Sequence, residues 1–267
     1  MKSVLLYANE DTGLESRLQA ALDVARAFES HISCLQVTPF DSFIMGDPFG
    51  GVYALPSVLE AVREAEDERR ARLEARLRIE GVSWDWMRYD GSPAQIVADR
   101  SRLSDLIVLS LPGRDYSGPL SMVGDVSLTV RAPVLAVPQP GGPVDCAGVA
   151  MVAWNGALEA AHALRLALPM LRAASAVQIV TVTDDRTGFP ATDASQYLAR
   201  HDIRSELHEW PGAGRSAAAV LIDAAQTLRA AYLVMGAYGR SRLRESVLGG
   251  TTREMLHQSG IPLVLAH

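Results

Sequence analysis

The sequence predicts an α/β chain of two tandem doubly wound domains, and three observations carry that prediction. Short, nearly continuous apolar runs rich in β-branched residues alternate with alanine- and leucine-rich segments of helical length. That is the pattern of parallel strands buried on both faces and joined by right-handed crossovers. The order of these segments occurs twice, and the two copies are separated by Pro138-Gln-Pro-Gly-Gly-Pro143, a stretch of linker composition. The boundaries expected are 1–140 and 146–267, each half built on a parallel five-stranded sheet.

The elements follow in order. The first half opens on the strand Val4 to Ala8, ending at Asn9, and the second on Val149 to Trp154, ending at Asn155. Each leads into a helix, Leu14 to Phe28 and Leu158 to Ala173, and then into a β-branched strand, His31 to Val37 and Val177 to Thr183. Leu106 to Leu109 answers Tyr232 to Met235, and the halves close with Ala132 to Val137 and Ile261 to Ala266. The first half carries what reads as an insertion. Its aromatic, glycine-containing loop, Phe40 to Tyr53, suits a lid, an interface or a tuck over the core. A long helix follows over 58–80, with a narrow apolar stripe of Val58, Val62, Ala65, Leu73 and Leu77. Its alternating charges predict a solvated face laced with i,i+4 pairs. Trp84 and Trp86 alternate along the next strand and are expected to pack against helices.

Composition bounds the function. A length of 267 residues accommodates two ordinary domains, and 48% hydrophobic residues suffice for packed cores. A net charge of −6 and a pI near 5.5 argue against nucleic acid or an anionic membrane as the main partner. The first apolar run is too short for a signal peptide, and no run approaches the roughly 18 residues of a membrane helix. Cys34 and Cys146 lie far apart and outside any C-x-x-C pattern, as suits a reducing cytoplasm, where the chain is expected. The six histidines show no metal-ligand spacing, no G-x-S-x-G elbow occurs, and no nucleophile is flanked by a recognisable base. Asp184 and Asp185, after the second strand of the second half, read as solvated turn acids.

The stretch with chemical content runs from Met235 to Thr252. An apolar strand delivers the chain into Gly236-x-x-Gly239; nine residues later come Gly249-Gly250-Thr251-Thr252 and a helical pattern. Glycines let backbone N–H groups approach phosphate oxygens, and a helix N-terminus leaves donors unpaired. The spacing is neither the dinucleotide G-x-G-x-x-G nor the P-loop.

With these residues in view, the chain resembles the universal stress protein family in its tandem form, over nearly its whole length and most strongly in the second half. The resemblance implies a Rossmann-like fold of the adenine nucleotide alpha-hydrolase-like kind. It also implies ATP or a related adenine nucleotide in the crevice outside the carboxyl ends of the strands. Ala153, Trp154 and Asn155 would border base and ribose, and Val182 would offer backbone groups to the adenine edge. Met235, Gly236, Gly239 and Arg240 would wrap ribose and phosphates. Gly249, Gly250, Thr251 and Thr252 would hold phosphates, with Arg242 and Arg244 adding positive charge.

Two departures shape the expectation. The family's aspartate at the end of the first strand is Asn155 here, which contributes no charge towards an accompanying Mg²⁺. Gly250 stands where the family has serine or threonine; Thr251 could substitute, but Thr251-x-x-Glu254 also reads as a capping box. In the first half, Ser110-Leu-Pro-Gly113 replaces Gly236-x-x-Gly239, and either Leu120-Ser121 or Gly124-Asp125 lies opposite Gly249-Gly250. Both alignments disfavour a phosphate, so one competent site per chain is expected. The reading is an adenine-nucleotide-binding stress or signalling protein with an unidentified protein partner. A slow ATPase and an interaction module with a vestigial pocket are the alternatives. Strands 132–137 and 261–266 are expected to meet, making one chain an internal pseudo-dimer; a homodimer beyond that is not readable.

Overall fold

The computed structural model describes residues 1–39, 44–46, 52–54, 56–113, 121–183, 189–239 and 250–267, with the backbone alone at 44–46, 52–54 and 56–59. The first half runs β1 (Ser3–Tyr7), α1 (Leu14–Phe28), β2 (His31–Thr38), β3 (Ile44–Gly46), β4 (Val52–Ala54), α2 (Pro56–Ile79), β5 (Ser83–Asp90), α3 (Pro93–Arg100), β6 (Leu106–Ser110), α4 (Met122–Thr129) and β7 (Val134–Val137). The second runs β8 (Val149–Ala153), α5 (Leu158–Leu166), α6 (Leu168–Ala173), β9 (Ala176–Thr183), α7 (Ala191–Ala199), β10 (Ser205–Pro211), α8 (Ala217–Thr227), β11 (Tyr232–Gly236), α9 (Gly250–Gln258) and β12 (Leu263–Ala266).

Five strands of each half merge into one ten-stranded sheet in the order β10-β9-β8-β11-β12-β7-β6-β1-β2-β5. Within each half of this sheet the strands pair in parallel; at the centre β12 and β7 run antiparallel, with Val264 opposite Leu135. The expected meeting of the closing strands is therefore present, and it relates the halves by a pseudo-twofold axis. The continuous apolar runs follow from burial on both faces. Along β1, Val4 and Leu6 enter one core cluster while Leu5 and Tyr7 enter the other. Residues of α1, α5, α6 and α7 cover the first face, and residues of α3, α4, α8 and α9 cover the second.

Three expectations change. The helix foreseen from Leu158 to Ala173 breaks at Ala167, because Pro169 supplies no N–H and cannot lie inside a continuous helix. The long first-half helix is not an added element. As α2 it takes the crossover place between β2 and β5 that the shorter α7 takes between β9 and β10, so it is a lengthened counterpart. Nor is the proline-glycine segment a loose tether. Gly141 N–H donates to Ser16 Oγ at 2.9 Å, Val144 N–H donates to the Asp23 carboxylate at 2.9 Å, and Val144 and Cys146 are buried.

The charges of α2 form intrahelical pairs such as Arg70–Glu74 at 2.6 Å, but several reach further. Arg76 meets Glu15 at 2.6 Å, Arg69 meets Glu10 at 3.2 Å and Arg63 meets Asp90 at 2.6 Å. Glu66 is buried and accepts the Thr38 hydroxyl at 2.8 Å. Of the expected stripe, Leu77 is buried and Leu73 packs at the core edge; the side chain of Val58 lies outside the described residues. Trp84 and Trp86 pack against the core as expected, with the Arg70 guanidinium 5.7 Å above the Trp86 ring. Of the 40–53 loop, only the antiparallel hairpin β3–β4 falls among the described residues.

Candidate functional site

In each half the strand order reverses beside the first strand: β8 lies between β9 and β11, and β1 between β2 and β6. Such switch points open a crevice at the carboxyl ends of the strands. The two crevices are built from equivalent positions and differ in what fills them.

The second-half crevice is floored by Ala153 and Gly236, with the first turn of α5 leaning over Gly236. A methyl group on Gly236 would stand 2.6 Å from the Ala160 nitrogen and 2.6 Å from the Glu159 carbonyl carbon, so only glycine admits the helix this close. Beyond it the chain is pinned from three directions. Ala237 N–H donates to Ala266 O at 2.7 Å, His267 Nδ1 bonds Ala237 O at 2.9 Å, and Tyr238 N–H donates to Thr252 Oγ1 at 3.2 Å. Tyr238 is held at φ 53°, the left-handed region that costs a non-glycine residue about 1–2 kcal/mol. This fixed turn presents Gly239 at the mouth of the crevice. Burial pushes the Tyr238 hydroxyl up to about 12, so it serves as a neutral packing group at physiological pH.

At the end of β9, the peptide groups of Val182 point towards β8. Alternation along the strand requires this, since Val180 O accepts Trp154 N–H at 2.8 Å on that side while Thr183 O accepts Gly212 N–H at 3.1 Å on the other. Among the described residues nothing bonds the Val182 N–H or C=O. Asn155 is exposed, and its side-chain oxygen accepts Ala157 N–H at 3.1 Å, closing the turn into α5. The Trp154 indole is buried in the core, and its N–H donates to Phe189 O at 2.9 Å.

The first half closes the same space on itself. Asn9, the counterpart of Asn155, donates from Nδ2 to Val37 O at 2.6 Å and accepts Val37 N–H on Oδ1 at 2.7 Å. Val37 is the counterpart of Val182. Arg17 then fills the crevice between β1 and β6. Only 1% exposed, it donates to Tyr7 O at 2.8 Å, Asn9 O at 2.7 Å, Ser110 Oγ at 2.7 Å and the Asp11 carboxylate at 2.8 Å. Ser110 stands where the second half has Gly236, and it faces Gly13, whose added methyl would lie 2.2 Å from its hydroxyl. Matching β7 and α4 to β12 and α9 sets Leu120-Ser121 opposite Gly249-Gly250 and leaves Gly124 and Asp125 inside the first turns of α4.

The predicted residues Ala153, Asn155, Val182, Gly236 and Gly239 thus border one crevice. Met235 is buried beneath it, and the Trp154 side chain turns into the core. Arg240, Gly249, Arg242, Arg244, Asp184 and Asp185 lie outside the described residues. Gly250 opens α9 with open space where a Cβ would be. Thr251 sits inside the helix rather than at its cap. Glu254 accepts Ser216 Oγ at 2.8 Å, so the capping box is not formed in the register expected. The Thr252 oxygen, expected to face a phosphate, is engaged by Tyr238. One residue went unnoticed in the sequence: Glu159, whose Oε2 is closed off from solvent without a hydrogen-bond partner among the described residues. A cavity of about 560 Å³, lined by Met1, Arg131, Leu166 and Pro169 among others, lies at the opposite edge of the sheet. Strand N-termini form no switch-point crevice, so it is not the candidate site.

No protein-family model matches the chain, and no curated protein matches it in sequence. Among solved structures it is similar to a universal stress protein from Archaeoglobus fulgidus DSM 4304, with TM-score 0.79 and 15% identity over 99% of this chain and 97% of that one. A protein provisionally described as a universal stress protein from Pseudomonas aeruginosa UCBPP-PA14 gives TM-score 0.60 and 16% identity over 100% and 93%. A functionally unknown protein from Pseudomonas aeruginosa PAO1 gives 0.59 and 16% over 100% and 92%. At such identities the likeness is one of fold: the chain has the tandem universal stress protein fold.

Proposed function

We propose that the chain binds one adenine nucleotide, ATP or a relative, in the second-half crevice, and that the bound nucleotide biases its engagement with a protein partner in stress response or signalling. The observation that carries this reading is the contrast between Asn9 and Asn155. A carboxamide offers one N–H donor and one carbonyl acceptor side by side, as adenine does through its amino group and ring nitrogen. In the first half that donor–acceptor pair is met from within the chain, by Asn9 on Val37. In the second half the equivalent asparagine turns to Ala157, and no described residue bonds the Val182 groups, which suits them to take the edge of a base. Gly236 and Gly239 bring backbone close to a ligand beside it, and α9 begins at Gly250 with helix N–H groups suited to phosphate. Mg²⁺ would travel with the phosphates rather than on Asn155.

Equilibrium dialysis with labelled ATP tests the reading. Saturation at one nucleotide per chain is expected, and Gly239→Val should abolish it. The absence of saturable binding at physiological concentrations overturns it in favour of an interaction module.

A further inference from the structure

We infer that Glu159 reads the ribose of the bound nucleotide. The inference rests on the adenine-nucleotide reading and names a residue that reading does not use. Glu159 lies in the first turn of α5, with its backbone against Gly236 and its carboxyl group turned to Gly239. Oε2 stands 3.4 Å from where a Gly239 Cβ would be, is shut off from solvent and accepts no hydrogen bond from the described residues. A carboxyl oxygen withdrawn from water without a donor is costly, and such groups persist where a ligand supplies the donor.

The position selects that ligand group. With the base at Val182 on β9 and the phosphates towards the start of α9, which follows β11, the sugar lies over the β8–β11 pair. The strands run in the order β9-β8-β11 at about 4.8 Å spacing, so Val182 and Gly236 are about 10 Å apart across the sheet. Glu159 overhangs the Gly236 end of that interval. Ribose presents two neighbouring hydroxyl donors, and a carboxylate is an acceptor on both oxygens. Asn155, the residue expected at the sugar, already accepts Ala157 N–H on its side-chain oxygen and carries no charge. Glu159 therefore supplies from α5 the carboxylate that the end of β8 lacks. A divalent cation accompanying the phosphates is the other claimant for Oε2, and the experiment separates the two.

Wild type, Glu159→Gln and Glu159→Asp are titrated by calorimetry with ATP and with 2′-deoxy-ATP, each in Mg²⁺ and in EDTA. Wild type should prefer ATP by about tenfold, the worth of one charge-assisted hydrogen bond. Glu159→Gln should bind ATP about tenfold more weakly and 2′-deoxy-ATP within about twofold of wild type, so the preference collapses in both buffers. Glu159→Asp, with a shorter reach, should retain part of it. ATP binding with the ribose preference unaltered in Glu159→Gln overturns the assignment alone, and a loss confined to Mg²⁺ transfers the oxygen to a cation. If wild type binds neither nucleotide, the adenine reading fails and this assignment fails with it. Thermal unfolding of the ligand-free variants guards against a folding defect: Glu159→Gln should unfold at or above the wild-type temperature.

Discussion

The carboxamide of Asn9 closes on the backbone of Val37 with both its polar groups, donating to its carbonyl at 2.6 Å and accepting its N–H at 2.7 Å. Beside it, Arg17 spans the gap to Ser110, so the first-half crevice is filled by the protein's own polar groups. Among the described residues of the second half, nothing bonds the equivalent groups of Val182. A duplicated unit has thus turned one crevice into structure, while among the described residues no such plug stands in the other.

Asn9→Ala should therefore act on stability and leave nucleotide stoichiometry alone. It strips partners from two partly buried backbone groups, each costing about 1–3 kcal/mol when unmet. A loss of about 2 kcal/mol or more in urea denaturation is expected, with ATP still binding at one per chain because Arg17 continues to block the first crevice. Stoichiometry rising to two would show that Asn9 alone holds the site shut.

Gly236→Ala and Gly250→Ala should separate architecture from binding. At Gly236 the new methyl meets the Glu159–Ala160 backbone at 2.6 Å, and backbone cannot step aside cheaply. Displacing α5 should cost about 1–3 kcal/mol and abolish binding. At Gly250 the methyl enters open space in a helix, where alanine is favoured by up to about 1 kcal/mol. Gly250→Ala should unfold no earlier than wild type while binding ATP more weakly, because with the nucleotide as proposed its methyl would crowd the approach of the phosphates to the helix N–H groups. Paired denaturation and dialysis measurements check both, and equal ATP affinity in Gly250→Ala and wild type would place the phosphates elsewhere.

The fold was legible because it is written in periodicity: strands buried on both faces read as unbroken apolar runs, and the closing strands repeat the same Pro-led pattern. What was not legible depends on partners distant in sequence. Strand β10 (Ser205–Pro211) carries Glu206, His208 and Glu209 on a sheet edge, so it lacks the apolar signature of its neighbours. Glu159 is one more charged residue of a helix until Gly236 and Gly239 are folded against it. Asn9 and Asn155 are the same residue at the same place in each repeat, yet one turns to Val37 and the other to Ala157. Only the buried arginine at position 17, where the second half has Ala161, could have hinted that the first crevice was plugged.

Alkaline pH should expose the buried acids. Burial pushes Cys34 from 9.0 up to about 12 and Cys146 up to about 11; it also raises Tyr7 from 10.0 to about 12 and moves Tyr232 upward. The folded state holds these protons more tightly than the unfolded chain. The associated stability is full below pH 9 and is lost as pH climbs towards the folded values. At pH 10 each thiol has cost about 1.4 kcal/mol. Unfolding free energies from urea denaturation at pH 8 and pH 10 should differ by about 2–3 kcal/mol from the two thiols, and the Cys34→Ala, Cys146→Ala double variant should show a correspondingly smaller difference. An identical pH dependence in the double variant would remove the thiols from the explanation.

The seam between the halves offers the last test. Val264 is fully buried on β12 and faces Leu135 of β7 across the antiparallel pairing that joins the two five-stranded sheets. An aspartate there has no cation to meet and no water to reach, so its burial should cost about 3–5 kcal/mol. Leu207, 43% exposed on the outer strand β10, is the matched control, and Leu207→Asp should stay within about 0.5 kcal/mol of wild type. If the seam is what locks the halves together, Val264→Asp should also loosen the 138–146 segment, since Val144 and Cys146 are held in the shared core. Limited proteolysis should then cut Val264→Asp between the halves under conditions that spare wild type and Leu207→Asp. Wild-type stability and an uncut linker in Val264→Asp would mean that the two sheets do not depend on their central pairing.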